Sequence, residues 1–321
     1  MVSTLLARAG GVELYAIKDF FISFFSSPYA PHLLGKSVDL SFSTEFDADF
    51  YSPIKGNVVK VIEIYSGLGP YSETDYVIFV RSGENYVKFM HIMPEVRVGD
   101  LISEGDVVGR YIRSNYFSYH HLPHAHVEVT KHLTLRPVKS FNIYPSEDLV
   151  RIFNPLGKFN GNSVGIELEV LRVCKDFTLC RSLGHPVAVA GDVPAMLQGE
   201  LGVGIGYLGL IHLHREPLRG SDVFFLGKKV GYVVRVGQWY SLMGRERVKS
   251  FREWFLGITS ISNISRDGGW YGIGVYVNGK KVDGVEFLIS NVCNVKIVGD
   301  AGLRAGDRAV LVLSQEINED R

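Results

Sequence analysis

The chain has 321 residues with 34 basic and 34 acidic side chains, so its formal net charge is zero. That balance argues against nucleic acid or an acidic lipid surface as a partner, since both select a basic excess. Hydrophobic residues make up 46% and charged residues 21%, which excludes a disordered chain. No apolar run approaches the ~18 residues of a membrane helix. Three cysteines, Cys174, Cys180 and Cys293, are too few and too unevenly spaced for a disulfide framework. The N-terminus lacks the pattern of a secretory signal, so the expected location is cytoplasmic.

In chain order, short runs rich in Val, Ile, Tyr and Phe alternate with glycines, which predicts an all-β architecture. Asn57–Ile64, Tyr76–Val80 and Tyr86–Met90 read as strands. The segment Val96-Arg-Val-Gly99-Asp100-Leu-Ile-Ser-Glu-Gly105-Asp106-Val-Val-Gly109 places two tight turns between apolar alternations, a device that folds a small sheet back on itself. Three prolines between Pro137 and Phe159 interrupt the strand pattern. They divide the chain into a first domain at 1–136, a linker at 137–160 and a β-rich domain at 161–321. Ser146–Phe153 is a short helix candidate with Ser146 as N-cap. Arg245–Leu256 is a second, from the helical spacing of Val248, Phe251, Trp254 and Phe255. Gly274–Val282 reads as a hairpin, because Asn278-Gly279 suits a type I′ turn. Gly202–Gly206 makes neither a P-loop nor a dinucleotide fingerprint, and His212 and His214 have no third ligand nearby in sequence.

Chemistry concentrates in the first domain, which carries seven of the ten histidines. In Leu122-Pro-His124-Ala-His126-Val-Glu-Val129, His124 and His126 are two residues apart, so a strand presents both imidazoles on one face. Neutral imidazole is both the commonest metal ligand and the usual general base. An Asp from another strand and a third His would complete a zinc site.

The order Gly35-Lys-Ser-Val-Asp39, Ser52-Pro-Ile-Lys-Gly56-Asn-Val, His91-Ile, the two Gly-Asp turns and Pro-His-Ala-His-Val-Glu-Val resembles the lysostaphin-type zinc endopeptidases over roughly residues 32–130. These enzymes share the duplicated-hybrid-motif fold, a barrel-sandwich hybrid, with the glucose-permease IIA domain. The resemblance implies Asp39 and His126 as zinc ligands and His124 as the catalytic histidine that helps activate the attacking water. It implies His91 as the histidine that stabilises the tetrahedral oxyanion. The family's remaining ligand is a His four residues before the Asp, where this chain has Gly35. His32 is the nearest preceding His, but its strand parity is wrong, so it reaches the metal only across a bend or bulge. His120 or His121 could instead swing in from the preceding loop.

Glycine at position 35 ranks a non-catalytic module, binding a peptide or protein ligand, first. The alternative is a zinc metallopeptidase that hydrolyses a peptide bond through metal-bound water. A second alternative is a IIA-like phosphocarrier with phosphate on His91.

Overall fold

Alternation of apolar and polar residues at period two becomes strand throughout the protein, and the chain is all-β apart from two short helices among the described residues. The computed structural model describes every residue except 1–2, 25–29, 34, 137–138, 153–163, 185, 202–206, 213–217, 236–254, 261–271 and 317–321. Two compact units are present. One comprises Met1–Phe24 and Ala30–Arg151, the other Phe25–Tyr29 and Ile152–Arg321.

The first unit opens with a hairpin of β1 (Thr4–Ala9) and β2 (Val12–Ala16). Gly10 and Gly11 between them both have positive φ, and a Cβ at Gly10 would stand 2.4 Å from the Phe141 ring. Next come β3 (Phe21–Ser23), α1 (Ala30–Leu33), β4 (Ser37–Ser41) and β5 (Asp49–Tyr51). They are followed by β6 (Gly56–Tyr65), β7 (Thr74–Ser82), β8 (Asn85–Met90) and β9 (Ile92–Pro94). The unit ends with β10 (Leu101–Ile102), β11 (Val107–Tyr111), β12 (Ala125–Thr130), β13 (Tyr144–Pro145) and α2 (Glu147–Ile152). The strand predictions at Asn57–Ile64, Tyr76–Val80 and Tyr86–Met90 fall inside β6, β7 and β8.

Antiparallel pairing builds one sheet in the order β10-β6-β7-β8-β12-β4-β3, so β12 enters between two strands that precede it in the chain. A smaller sheet, β5-β11-β9, packs on it. Phe50 of β5 lies 5.3 Å from Phe89 of β8 and 5.8 Å from Tyr111 of β11, measured between ring centroids. All three are fully buried. The sheets stack as layers and do not close into a barrel.

Local chemistry explains the connections. Gly99 and Gly105 have φ of 103° and 87°, and each following Asp caps its own turn. Asp100 accepts from the Arg97 amide at 2.7 Å, and Asp106 accepts from the Ser103 amide at 2.7 Å. The second unit uses the same device at Gly306-Asp307, where Asp307 accepts from the Arg304 amide at 2.7 Å. Ser146 caps α2 by accepting from the Leu149 amide at 3.1 Å. Of residues 137–160, those up to Arg151 fall in the first unit and the rest in the second. The Phe141 amide donates to Val129 and the Ile143 amide to Gly35.

The second unit is also antiparallel. Strand Ile166–Val173 pairs on one side with Phe177–Ser182 and on the other with Arg308–Glu316. Its core includes Leu168, Leu197, Val285, Phe287, Ile297 and Leu311. The predicted hairpin is present, with Asn278 and Gly279 at φ 49° and 80° between Gly272–Val277 and Lys280–Val282. The helix expected over Arg245–Leu256 is corrected at its end. Phe255 and Leu256 begin the strand Phe255–Ser260, whose register with Tyr207–His212 supplies the ladder bonds that override helical spacing. Residues 245–254, the Gly202–Gly206 segment and His214 lie outside the described residues. No helix among the described residues is long and apolar enough to cross a membrane.

Phe50 joins the two sheets, so Phe50→Ala is expected to cost about 3–5 kcal/mol. Urea unfolding followed by intrinsic fluorescence reads this as a lowered midpoint with little change in slope.

Candidate metal centre

Period-two geometry sorts β4 and β12 into an apolar and a polar face. Val38, Leu40, Ala125, Val127 and Val129 turn to the core at 0% exposure. Asp39, His126 and Glu128 share the other face, and that face is also buried. Register sets the pairs: His126 stands opposite Asp39 on β4 and Met90 on β8, while Glu128 stands opposite Lys88.

His32 joins from outside the sheet. It sits in α1, which Gly35 terminates at φ 61°. The Gly35 amide donates to the His32 carbonyl at 3.0 Å, and the Lys36 amide to the Pro31 carbonyl at 2.8 Å. This turn supplies the bend that strand parity required. His32 Nε2 lies 3.2 Å from Asp39 Oδ1 and 3.1 Å from His126 Nδ1, and His126 Nδ1 lies 3.2 Å from Asp39 Oδ1.

These three atoms form a nearly equilateral triangle. In a tetrahedral zinc shell with ligands at about 2.0–2.1 Å, neighbouring donors stand about 3.3–3.4 Å apart. Two imidazoles and one carboxylate are also a donor set suited to zinc. The residues therefore fit the metal by chemistry and by spacing.

The surroundings fix which atoms face the centre. His126 Nε2 is 3.1 Å from Glu128 Oε1, so a proton on Nε2 directs the Nδ1 lone pair toward Asp39 and His32. Lys88 Nζ is 2.6 Å from Glu128 Oε1, and the Ser140 hydroxyl donates to Oε2 at 2.5 Å. Burial alone would raise the Glu128 carboxyl, but the His126 hydrogen bond and the Lys88 charge outweigh it and hold it at about 2. Burial likewise works against ionised Asp39, yet the imidazoles of His124, His32 and His126 keep it well below the carboxylate range. Burial lowers His126, but its bonds to Asp39 and Glu128 win and raise it to about 9, so a metal taking the Nδ1 lone pair would displace the Nδ1 proton. The second nitrogen of His32, Nδ1, is buried without a hydrogen-bond partner among the described residues.

His124 and His91 flank this centre. His124 Nδ1 is 2.8 Å from the Leu122 carbonyl, and Nε2 is 3.4 Å from Asp39 Oδ2. Burial pushes His124 down to about 4, so the ring is neutral near pH 7 with its proton on Nδ1. The His91 ring lies 5.6 Å from that of His124 and 6.1 Å from that of His126. His91 adopts φ 68°, a conformation costing a side-chain-bearing residue of order 1–3 kcal/mol. Its Nδ1 is 2.6 Å from Asp75 Oδ2. Phe117 covers both rings, 4.7 Å from His124 and 5.1 Å from His91.

The structure thus brings His32, Asp39, His91, His124 and His126 to one place. His121 lies at its edge, 6.2 Å from His124 and 4.7 Å from His120 between ring centroids. Neither His120 nor His121 joins the triangle, which His32 completes. Sequence reasoning missed Asp75, Ser114, Lys88 and Ser140 and gave Glu128 no role. Glu128 had a usable signal, since it follows His126 at strand period. Lys88 had one too, as the charged residue inside the run Tyr86–Met90. Asp75 and Ser114 had none.

Among comparisons with known proteins, residues 14–142 match the family model described as "Domain of unknown function (DUF8155) N-terminal domain". One solved structure, described as "A Novel M23 Metalloprotease Pseudoalterin from Deep-sea", is 15% identical and covers 38% of this chain and 68% of its own, with a TM-score of 0.24. That likeness is too weak to carry an inference about this chain. No curated protein matches.

Two outcomes test how the centre is held. Glu128→Gln leaves Lys88 buried without its counter-charge and is expected to cost about 3–5 kcal/mol, whereas Glu128→Gln with Lys88→Met regains most of it. Urea midpoints of the single and double variants measure the difference. Because the Glu128 carboxyl is depressed, the stability it confers is present above its unfolded value near 4.5 and is lost as pH falls toward about 2. Acid unfolding of the double variant should therefore lose this component.

Proposed function

We propose that the protein is a zinc-dependent hydrolase acting on peptide bonds, with the metal held by His32, Asp39 and His126. The observation that carries this reading is the triangle of 3.1–3.2 Å between the three donor atoms. The resemblance to lysostaphin-type endopeptidases, with its duplicated-hybrid-motif ancestry, supports the same assignment, and Gly35 becomes the turn that delivers a ligand from three residues earlier. Zinc bound there supplies Lewis acidity toward a carbonyl oxygen and lowers the pKa of water.

The chain's own residues supply the rest. Neutral His124, tethered through Nδ1 to Leu122, presents Nε2 to take a proton from the attacking water. His91 stabilises charge developing on the carbonyl oxygen. Glu128 holds the tautomer of His126. Residues 1–136 carry this chemistry, and 161–321 form a separate β-rich domain. Cell-wall peptides, often with glycine-rich cross-links, are the substrate class that the resemblance implies. A second reading, a non-catalytic peptide-binding module, rests on Gly35 standing where that family has a His ligand.

Elemental analysis of protein purified with added zinc is expected to give about one zinc per chain, absent in His126→Ala and strongly reduced in His32→Ala. Loss in His126→Ala with retention in His32→Ala would remove His32 from the ligand set. No zinc in the parent protein would overturn the hydrolase and leave the binding module. Gly35→Ala, strained at positive φ by about 1–2 kcal/mol, is expected to weaken zinc affinity without removing a ligand, as competition with a chromogenic chelator would show.

A further inference from the structure

Asp75 belongs to neither the metal triangle nor any motif in the sequence, yet it is 0% exposed and makes four hydrogen bonds. Oδ1 accepts from the Tyr76 amide at 2.6 Å and from the His91 amide at 3.0 Å. Oδ2 faces His91 Nδ1 at 2.6 Å and accepts from the Ser114 hydroxyl at 2.5 Å. One carboxylate therefore clamps both the backbone and the ring of His91. The clamp acts on a residue whose φ of 68° strand geometry alone would not select. The Ile112 amide, donating to the His91 carbonyl at 3.1 Å, closes the other side. A carboxyl that served only to satisfy backbone amides would need Oδ1 alone. Here Oδ2 is committed to the ring and is itself oriented by Ser114.

We infer that Asp75, oriented by Ser114, is the positioning residue that keeps the His91 proton on Nδ1 and leaves Nε2 as the reactive nitrogen. The inference deepens the hydrolase reading and rests on it for its consequence. The two active-site imidazoles are anchored differently: His124 on a neutral carbonyl, His91 on a carboxylate. A carbonyl fixes a tautomer, whereas a carboxylate also stabilises positive charge on the ring it holds. The assignment that follows is His124 as the proton acceptor. His91 is the ring whose Nε2 serves the oxyanion, and any positive charge it gains there is stabilised by Asp75. Asp75 takes up no proton in this scheme, and no bond forms or breaks at it.

Long-range ¹H–¹⁵N spectra of ¹⁵N-histidine-labelled protein read the state of the His91 ring directly. The parent protein is expected to show Nδ1 protonated. Asp75→Asn, which offers an amide where the carboxylate was, is expected to move the proton to Nε2, while Asp75→Glu keeps it on Nδ1. Zinc content should be the same in all three. With zinc bound and a glycine-rich peptide as probe, Asp75→Asn is expected to lower kcat by about 10²–10⁴-fold with KM nearly unchanged. A parent protein protonated only at Nε2 overturns the inference even if every variant misfolds. So does Asp75→Asn that folds and keeps Nδ1–H. Absence of zinc or of hydrolysis in the parent protein overturns the hydrolase instead, and the ring spectrum still decides whether Asp75 holds His91.

Discussion

The site depends on the register of one strand. β12 lies between β4 and β8, and its pairing sets His126 opposite Asp39 and Glu128 opposite Lys88. A slip of one residue would turn His126 and Glu128 toward the apolar core and Val127 toward the polar face. The core side of both strands is entirely aliphatic, so such a slip would bury two ionisable groups in hydrocarbon. Hydrophobic burial on one face thus enforces ligand placement on the other. β12 follows β8 by a long excursion in sequence, yet nothing in that excursion needs to aim the ligands once the apolar face has docked.

Gly35 shows how a spacing rule can mislead while the donor triangle still forms. A ligand four residues before the Asp implies a strand-like approach to the metal. Here one helical turn intervenes, and His32, seven positions before Asp39, arrives 3.2 Å from its Oδ1. The positive φ of Gly35 makes the reversal inexpensive, and a β-carbon there would oppose it. Residue type at position 35 and the reach of His32 toward Asp39 are therefore coupled, and neither can be judged without the other.

Much of the fold was legible because it follows local rules. Alternation located β6, β7 and β8, Ser146 located the start of α2, and Asn278-Gly279 located a hairpin. Asp39, His91, His124 and His126 were legible as candidates from motif order, and the structure brings them together. What escaped depends on pairing between segments remote in sequence. The Asp75–His91 contact spans 16 positions, and Ser114 reaches Asp75 across 39. Helical spacing over Arg245–Leu256 failed at Phe255 for a related reason, since the ladder with Tyr207–His212 outweighs local preference.

Electrostatics complete the division of labour. Seven carboxylates and imidazoles in one buried space would repel or neutralise one another unless each had a partner of fixed kind. Lys88 offsets the charge of Glu128, Glu128 and Asp39 hold His126, and Leu122 offers His124 only a carbonyl. Asp75 faces His91 from a separate strand, β7, and does not compete for the metal triangle. Because Asp75 and Asp39 lie on different strands, the imidazoles of His91 and His124, 5.6 Å apart, stand in different electrostatic surroundings. Were Asp75 and Asp39 on the same strand face, both rings would share one electrostatic environment, and the asymmetry on which the proposed acceptor and donor roles rest would be lost.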